Sequence, residues 1–111
     1  MTEIPTFVEH RRSERRDVYV AATLQGASES QLAITQNVNR DGALMLCLGM
    51  FEPGDVLDAD LYPGREERPV RVRGTVARAT RYVSNGPWRC ALALRFEEPL
   101  SDETSQVLNI Q

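Results

Sequence analysis

Four arginines, Arg11, Arg12, Arg15 and Arg16, fall within six residues near the start of the chain. Each guanidinium is a planar fork of donors that stays charged at any physiological pH. Such a fork can grip a phosphate or the O6/N7 edge of a guanine with two parallel hydrogen bonds, and can stack on a base. Arg11 with Arg15, and Arg12 with Arg16, repeat the spacing RxxxR. Alone, a run of this kind is more often a solvated segment, here partly offset by Glu9, Glu14 and Asp17.

A second stretch changes those odds. Asn37-Val38-Asn39-Arg40-Asp41-Gly42 sets two carboxamides ahead of a glycine. Each carboxamide offers both a donor and an acceptor, and glycine permits a tight turn and a close backbone approach. By itself this stretch reads as an Asx-type turn. Beside the arginines it reads as part of a site for a small anionic ligand.

No set of residues here suits catalysis. The single histidine, His10, lies in the basic segment, so neither a Ser–His–Asp nor a Cys–His arrangement is in view. Asp55, Asp58 and Asp60 surround a strand-like run and are expected to face solvent. Cys47 and Cys90 each sit inside apolar runs and are expected as buried free thiols, without metal-ligand spacing. We therefore expect no enzyme activity, no catalytic residue and no metal.

At 111 residues the chain fits one domain, with 41% apolar and 26% charged residues. Its net charge is -3 and its pI about 5.1. That balance argues against general nucleic-acid binding, which calls for a basic surface. With aromatics at only 6%, stacking along a single strand is also disfavoured. Local positive charge on an acidic chain suits a small anion better than a long polyanion. No apolar run approaches the ~20 residues needed to cross a bilayer, and the N-terminus lacks the basic start and apolar core of a signal peptide. The expected location is the cytoplasm, without membrane insertion.

The elements that must hold these residues are strands. Positions 17–25 alternate, with Val18, Val20, Ala22 and Leu24 on one face. Leu32, Ile34 and Val38 suggest a second strand ending at the 37–42 corner. Positions 43–48 are wholly apolar and fit a strand covered on both sides. Positions 56–62 form another, stopped by Pro63-Gly64. Positions 69–83 form a long one, with Arg71 and Arg73 outward and Gly74 marking a bend or bulge. Cys90, Leu92, Leu94 and Phe96 alternate in the last. Ser101 then opens a short helix as N-cap, with Thr104 at the third helical position. About six short strands and a terminal helix favour an antiparallel sandwich or a small barrel.

Arm, corner and tail together resemble the PilZ domain, a bacterial receptor module for cyclic di-GMP. Its pattern is RxxxR, then [D/N]xSxxG, on a six-stranded antiparallel barrel. Arg12 and Arg16 match the first motif just before the first strand, and Arg11 with Arg15 is a register shifted by one. Asn37 matches the [D/N] position and Gly42 the final glycine, while Asn39 stands where the family has serine. Cys90-Ala91-Leu92-Ala93-Leu94-Arg95-Phe96 and Leu100-Ser101-Asp102-Glu103 resemble the last strand and the helix entry.

The resemblance implies an all-β, six-stranded antiparallel barrel over residues 17–111. A short C-terminal helix would follow it, and a flexible N-terminal arm over residues 1–16 would precede it. It implies cyclic di-GMP as ligand and no further cofactor. Arg11, Arg12, Arg15 and Arg16 would grip guanine and phosphate, Asn37 and Asn39 would meet the guanine edge and nearby oxygens, and Gly42 would allow close approach. The expected action is ordering of the arm on ligand binding, read by a downstream protein partner. The alternative is an adaptor of the same fold that works through protein contacts without the nucleotide.

Overall fold

The computed structural model describes residues 19–26, 29–64 and 68–108. The expectations for Arg11, Arg12, Arg15 and Arg16, and for the mobility of their segment, lie outside the described residues.

Six strands are present: β1 (Ala21–Gln25), β2 (Ser30–Val38), β3 (Gly42–Cys47), β4 (Val56–Tyr62), β5 (Val70–Arg81) and β6 (Cys90–Phe96). They close into a barrel in the order β1-β2-β3-β6-β5-β4, every pair antiparallel and β1 meeting β4 to seal the sheet. A single helix among the described residues, α1 (Asp102–Val107), follows. Closure gives every strand a partner on both sides, which blunts the usual route to strand-pairing aggregation. The expected barrel and terminal helix are what the chain forms.

Alternation decides which side chains fill the interior. Ala22 and Leu24 of β1, Leu57, Ala59 and Leu61 of β4, and Cys90, Leu92, Leu94 and Phe96 of β6 are all buried. Truncating one of these leucines to alanine costs roughly 2–5 kcal/mol, because the closed sheet cannot collapse onto the void. Helix α1 is capped as expected. Ser101 Oγ accepts from the Thr104 amide at 3.1 Å, and Leu108 just past the helix is buried.

Strand β2 departs from its sequence pattern. Leu32 is 54% exposed, whereas Ala33 and Thr35 are buried. Thr35 is held inside because its Oγ1 accepts from the Val20 amide at 2.9 Å. A hydroxyl with a partner is not penalised by burial. A bulge between Thr35 and Asn37 then resets the phase, so Val38 returns to the interior. Strand β5 carries a matching bulge between Val76 and Arg78, two residues past the Gly74 position where a bend was expected. A Cβ on Gly74 would stand 2.6 Å from the Arg95 carbonyl oxygen. That glycine therefore serves the close packing of β5 on β6.

Candidate functional site

The two bulges build the site. A strand's side chains alternate between faces, so one inserted residue exchanges inside for outside in everything beyond it. The first bulge brings Asn37 opposite Leu44, Leu44 lies opposite Ala93, and Ala93 lies opposite Arg78 beyond the second bulge. Asn37, Leu44, Ala93 and Arg78 thus form one row across four strands on the outside of the barrel. Without the bulges Asn37 and Arg78 would fall on the interior phase of their strands.

Above that row stands the 37–42 corner. Asn39 Oδ1 accepts from the Asp41 amide at 2.8 Å and the Gly42 amide at 2.9 Å, and the Asn39 amide donates to the Gly42 carbonyl at 2.9 Å. The Asx turn is real, and it is also the scaffold of the site. Its carboxamide oxygen is occupied, which leaves the Nδ2 donors for a ligand. Gly42 needs no unusual dihedral. A Cβ there would lie 2.5 Å from the Leu94 carbonyl oxygen, so a bare Cα is what lets β3 approach β6 at this level.

The corner is also fastened to the C-terminal tail. The Phe96 amide donates to Asp41 O and the Leu100 amide to Arg40 O, both at 2.8 Å. The Arg40 guanidinium returns the contact, donating to Leu100 O at 3.1 and 3.3 Å and pairing with Asp102 in the first turn of α1. One residue therefore joins the turn to the helix start across sixty positions of sequence.

Row and corner enclose a hollow of ≈ 220 Å³ on whose lining Asn37, Asn39, Gly42, Arg78 and Arg95 meet. A second hollow of ≈ 210 Å³ shares Leu44, Arg78 and Ala93 with it, so the two make one trough. Small apolar side chains line it beside Leu44: Ala43, Ala77 and Ala93 in the first hollow and Ala91 and Ala93 in the second. Short side chains there leave room for a flat ring. Arg78 and Arg95 have no hydrogen-bonded or ionic partner among the described residues, so their forks are available.

On β5 before the bulge, two arginines are saturated. Arg71 grips Asp60 through two bonds of 2.8 and 2.9 Å, and Arg73 grips Asp58 at 2.9 and 3.2 Å. These hydrogen bonds hold both carboxyls below their ordinary range. Cys47 and Cys90 face each other across β3 and β6 as free, buried thiols. Burial, with the neighbouring thiol, pushes Cys47 up to about 12. A thiol so far from ionisation is a poor nucleophile.

The structure brings Asn37, Asn39 and Gly42 together as the sequence suggests. The entry of the chain into the barrel is at the same end. Val20 N donates to Thr35 Oγ1 and Val20 O accepts from Thr35 N, each at 2.9 Å, two residues from Asn37. Arg78 and Arg95 also line the hollow; in the sequence Arg78 reads as one of several solvent-facing arginines, any of which could line a ligand groove, and neither it nor Arg95 is among the expected site residues. Arg95 was legible as an outward position of β6, but Arg78 depends on a bulge that no local pattern marks.

The sequence matches the PilZ domain family over residues 9–109. No curated protein matches the chain. Among solved structures, it is similar to the Bacillus subtilis inhibitor of motility (MotI/DgrA), with a TM-score of 0.67 and 17% identity. That similarity covers 90% of this chain and 48% of the other, so the chain spans about half the length of that protein. At such identity the likeness speaks to the fold.

Proposed function

Since the chain belongs to the PilZ domain family, we propose that it is a receptor domain for cyclic di-GMP, with the dinucleotide held in the trough beside the 37–42 corner. It is a binding module rather than an enzyme, acting in the cytoplasm and signalling to a downstream protein. One observation carries the assignment: two guanidinium groups without a partner among the described residues, Arg78 and Arg95, line the same hollow as Asn37 and Asn39 beside small apolar side chains. This is the equipment a planar, anionic guanine ligand calls for. Asn39 replaces the family serine without loss of the turn, since its oxygen makes the capping bonds and its Nδ2 still donates. Asp41 on the same lining adds an acceptor for the guanine N1–H and amino group.

The arm supplies the remaining charge. Arg16 precedes Val20 by four residues, a reach of at most about 14 Å. Val20 is fastened beside Thr35, near Asn37. Arg12 and Arg16, with Arg11 or Arg15 assisting, close over the ligand once its phosphates offset their mutual repulsion, and the partner reads the closed surface.

Calorimetric titration of the purified 111-residue chain with cyclic di-GMP tests the reading. Micromolar or tighter binding is expected, abolished in Arg12→Ala or Arg16→Ala. Amide shifts on ligand addition should concentrate on residues 8–45 and on Arg78 and Arg95. No heat and no shifts at micromolar protein would leave the nucleotide-free adaptor as the function.

A further inference from the structure

A second trough, unconnected with the corner, lies at the opposite ends of β3 and β6, about 17 Å away along the strands at ~3.3 Å per residue. It occupies ≈ 440 Å³ and is lined by Leu48, Met50, Arg81, Tyr82, Val83 and Arg89, together with Ser84. Three of the eight large apolar side chains exposed among the described residues meet there: Val83 at 86%, Met50 at 53% and Leu48 at 40%. The segment is built, because the Tyr82 amide donates to Arg89 O at 2.8 Å and the Arg89 amide to Cys47 O at 2.9 Å.

Charge complementarity identifies the occupant. Arg81 and Arg89 have no ionic or hydrogen-bonded side-chain partner among the described residues, and no carboxylate lines the trough. On a chain with 16 acidic against 13 basic residues, this is a positive rim around an apolar floor. We propose that this end of the barrel docks a segment of a partner protein that carries carboxylates on either side of apolar side chains. The apolar residues fill the space between Leu48, Met50 and Val83, and the carboxylates take Arg81 and Arg89. A membrane surface fits poorly, because surface attraction to anionic headgroups grows with the number of basic residues and stable capture calls for a larger cluster than two arginines. The proposal does not depend on the nucleotide, since none of these residues touches the corner trough.

The test selects short random peptides displayed on phage against the full chain, then measures a synthetic copy of the enriched sequence. Enriched sequences should interleave Asp or Glu with Leu, Met or Phe. Affinity should fall about tenfold or more in Arg81→Glu and in Arg89→Glu, and in Val83→Asp, while Arg78→Ala and Arg95→Ala leave it unchanged. Arg81→Ala and Arg89→Ala serve as milder variants should the reversals disturb folding. Cyclic di-GMP titration should be the same in the Arg81, Arg89 and Val83 variants as in the wild type, which separates this proposal from the nucleotide reading. Enrichment of sequences without acids would overturn it, as would peptide affinity indifferent to Arg81 and Arg89. Self-association or capture of phosphatidylglycerol vesicles that these two reversals abolish would overturn it too.

Discussion

Two walls of one barrel carry arginines in opposite conditions. On the β4–β5 wall, Arg71 and Arg73 stand directly across from Asp60 and Asp58, and both forks are filled. On the wall formed by β2, β3, β6 and β5, Arg78 and Arg95 line a hollow with Asp41 and alanines, and neither is paired with a carboxylate among the described residues. Strand β5 contributes to both, and the bulge before Arg78 divides them. Residue type therefore says little about role. A fork with its carboxylate in place holds the sheet's outer surface, and a fork without one is ready for a ligand.

The receptive wall breaks first if its strands are pushed apart. Gly42→Ala sets a methyl group against the Leu94 carbonyl oxygen, and backbone cannot swing aside as a side chain can. A loss of about 3 kcal/mol is expected, read by chemical denaturation, together with loss of ligand binding. Wild-type stability in that variant would show that β3 and β6 can separate without cost.

The comparison itself is tested by matched substitutions. Arg78→Ala and Arg95→Ala should each weaken cyclic di-GMP by about tenfold or more, since a hydrogen bond to a charged group contributes roughly 1.5–3 kcal/mol. Arg71→Ala and Arg73→Ala should leave calorimetric affinity within about twofold, because their donors are already committed. Equal effects on both walls would mean that the paired and unpaired arginines do the same work.

The parts of this that sequence discloses are the local ones. Strand β4 is legible because its alternation runs uninterrupted into Pro63-Gly64 and its observed bounds are those of the pattern. Ser101 announces the helix by a capping bond three residues long. Strand β2 is also visible, yet its inward face is hidden. Leu32 and Ile34 look like core, while Thr35 takes the interior through a bond to Val20 fifteen residues away. The bulges that aim Asn37 and Arg78 outward arise from register between strands, which no single strand encodes. The Arg40 tie to Leu100 and Asp102 spans sixty positions and leaves no periodic trace.

That tie offers a smaller effect. Arg40→Ala removes the donors to Leu100 O and the pairing with Asp102, while the backbone bond from Leu100 to Arg40 O remains. Stability should fall by about 1 kcal/mol, and amide exchange in α1 should quicken more than in β4. Uniform acceleration across the barrel would assign Arg40 a global role instead.

The smallest effect belongs to the saturated wall and appears only in acid. Asp58 and Asp60 are held below the ordinary carboxylate value of 3.8, chiefly by hydrogen bonds from Arg73 and Arg71. A carboxyl whose folded value is depressed contributes stability that is present above its unfolded value and lost as pH falls through the folded one. Between pH 5 and 8 the melting temperature should thus be nearly flat with respect to these two groups. Below about pH 4 it should fall more steeply in the wild type than in Asp58→Asn/Asp60→Asn, whose neutral carboxamides cannot be protonated. At pH 7 the double variant should melt only slightly lower, because exposed pairs in water hold weakly. Parallel acid limbs in the two proteins would place the acid-sensitive carboxyls elsewhere. The β4–β5 forks would then be ornaments of the surface, and the contrast with Arg78 and Arg95 would rest on ligand binding alone.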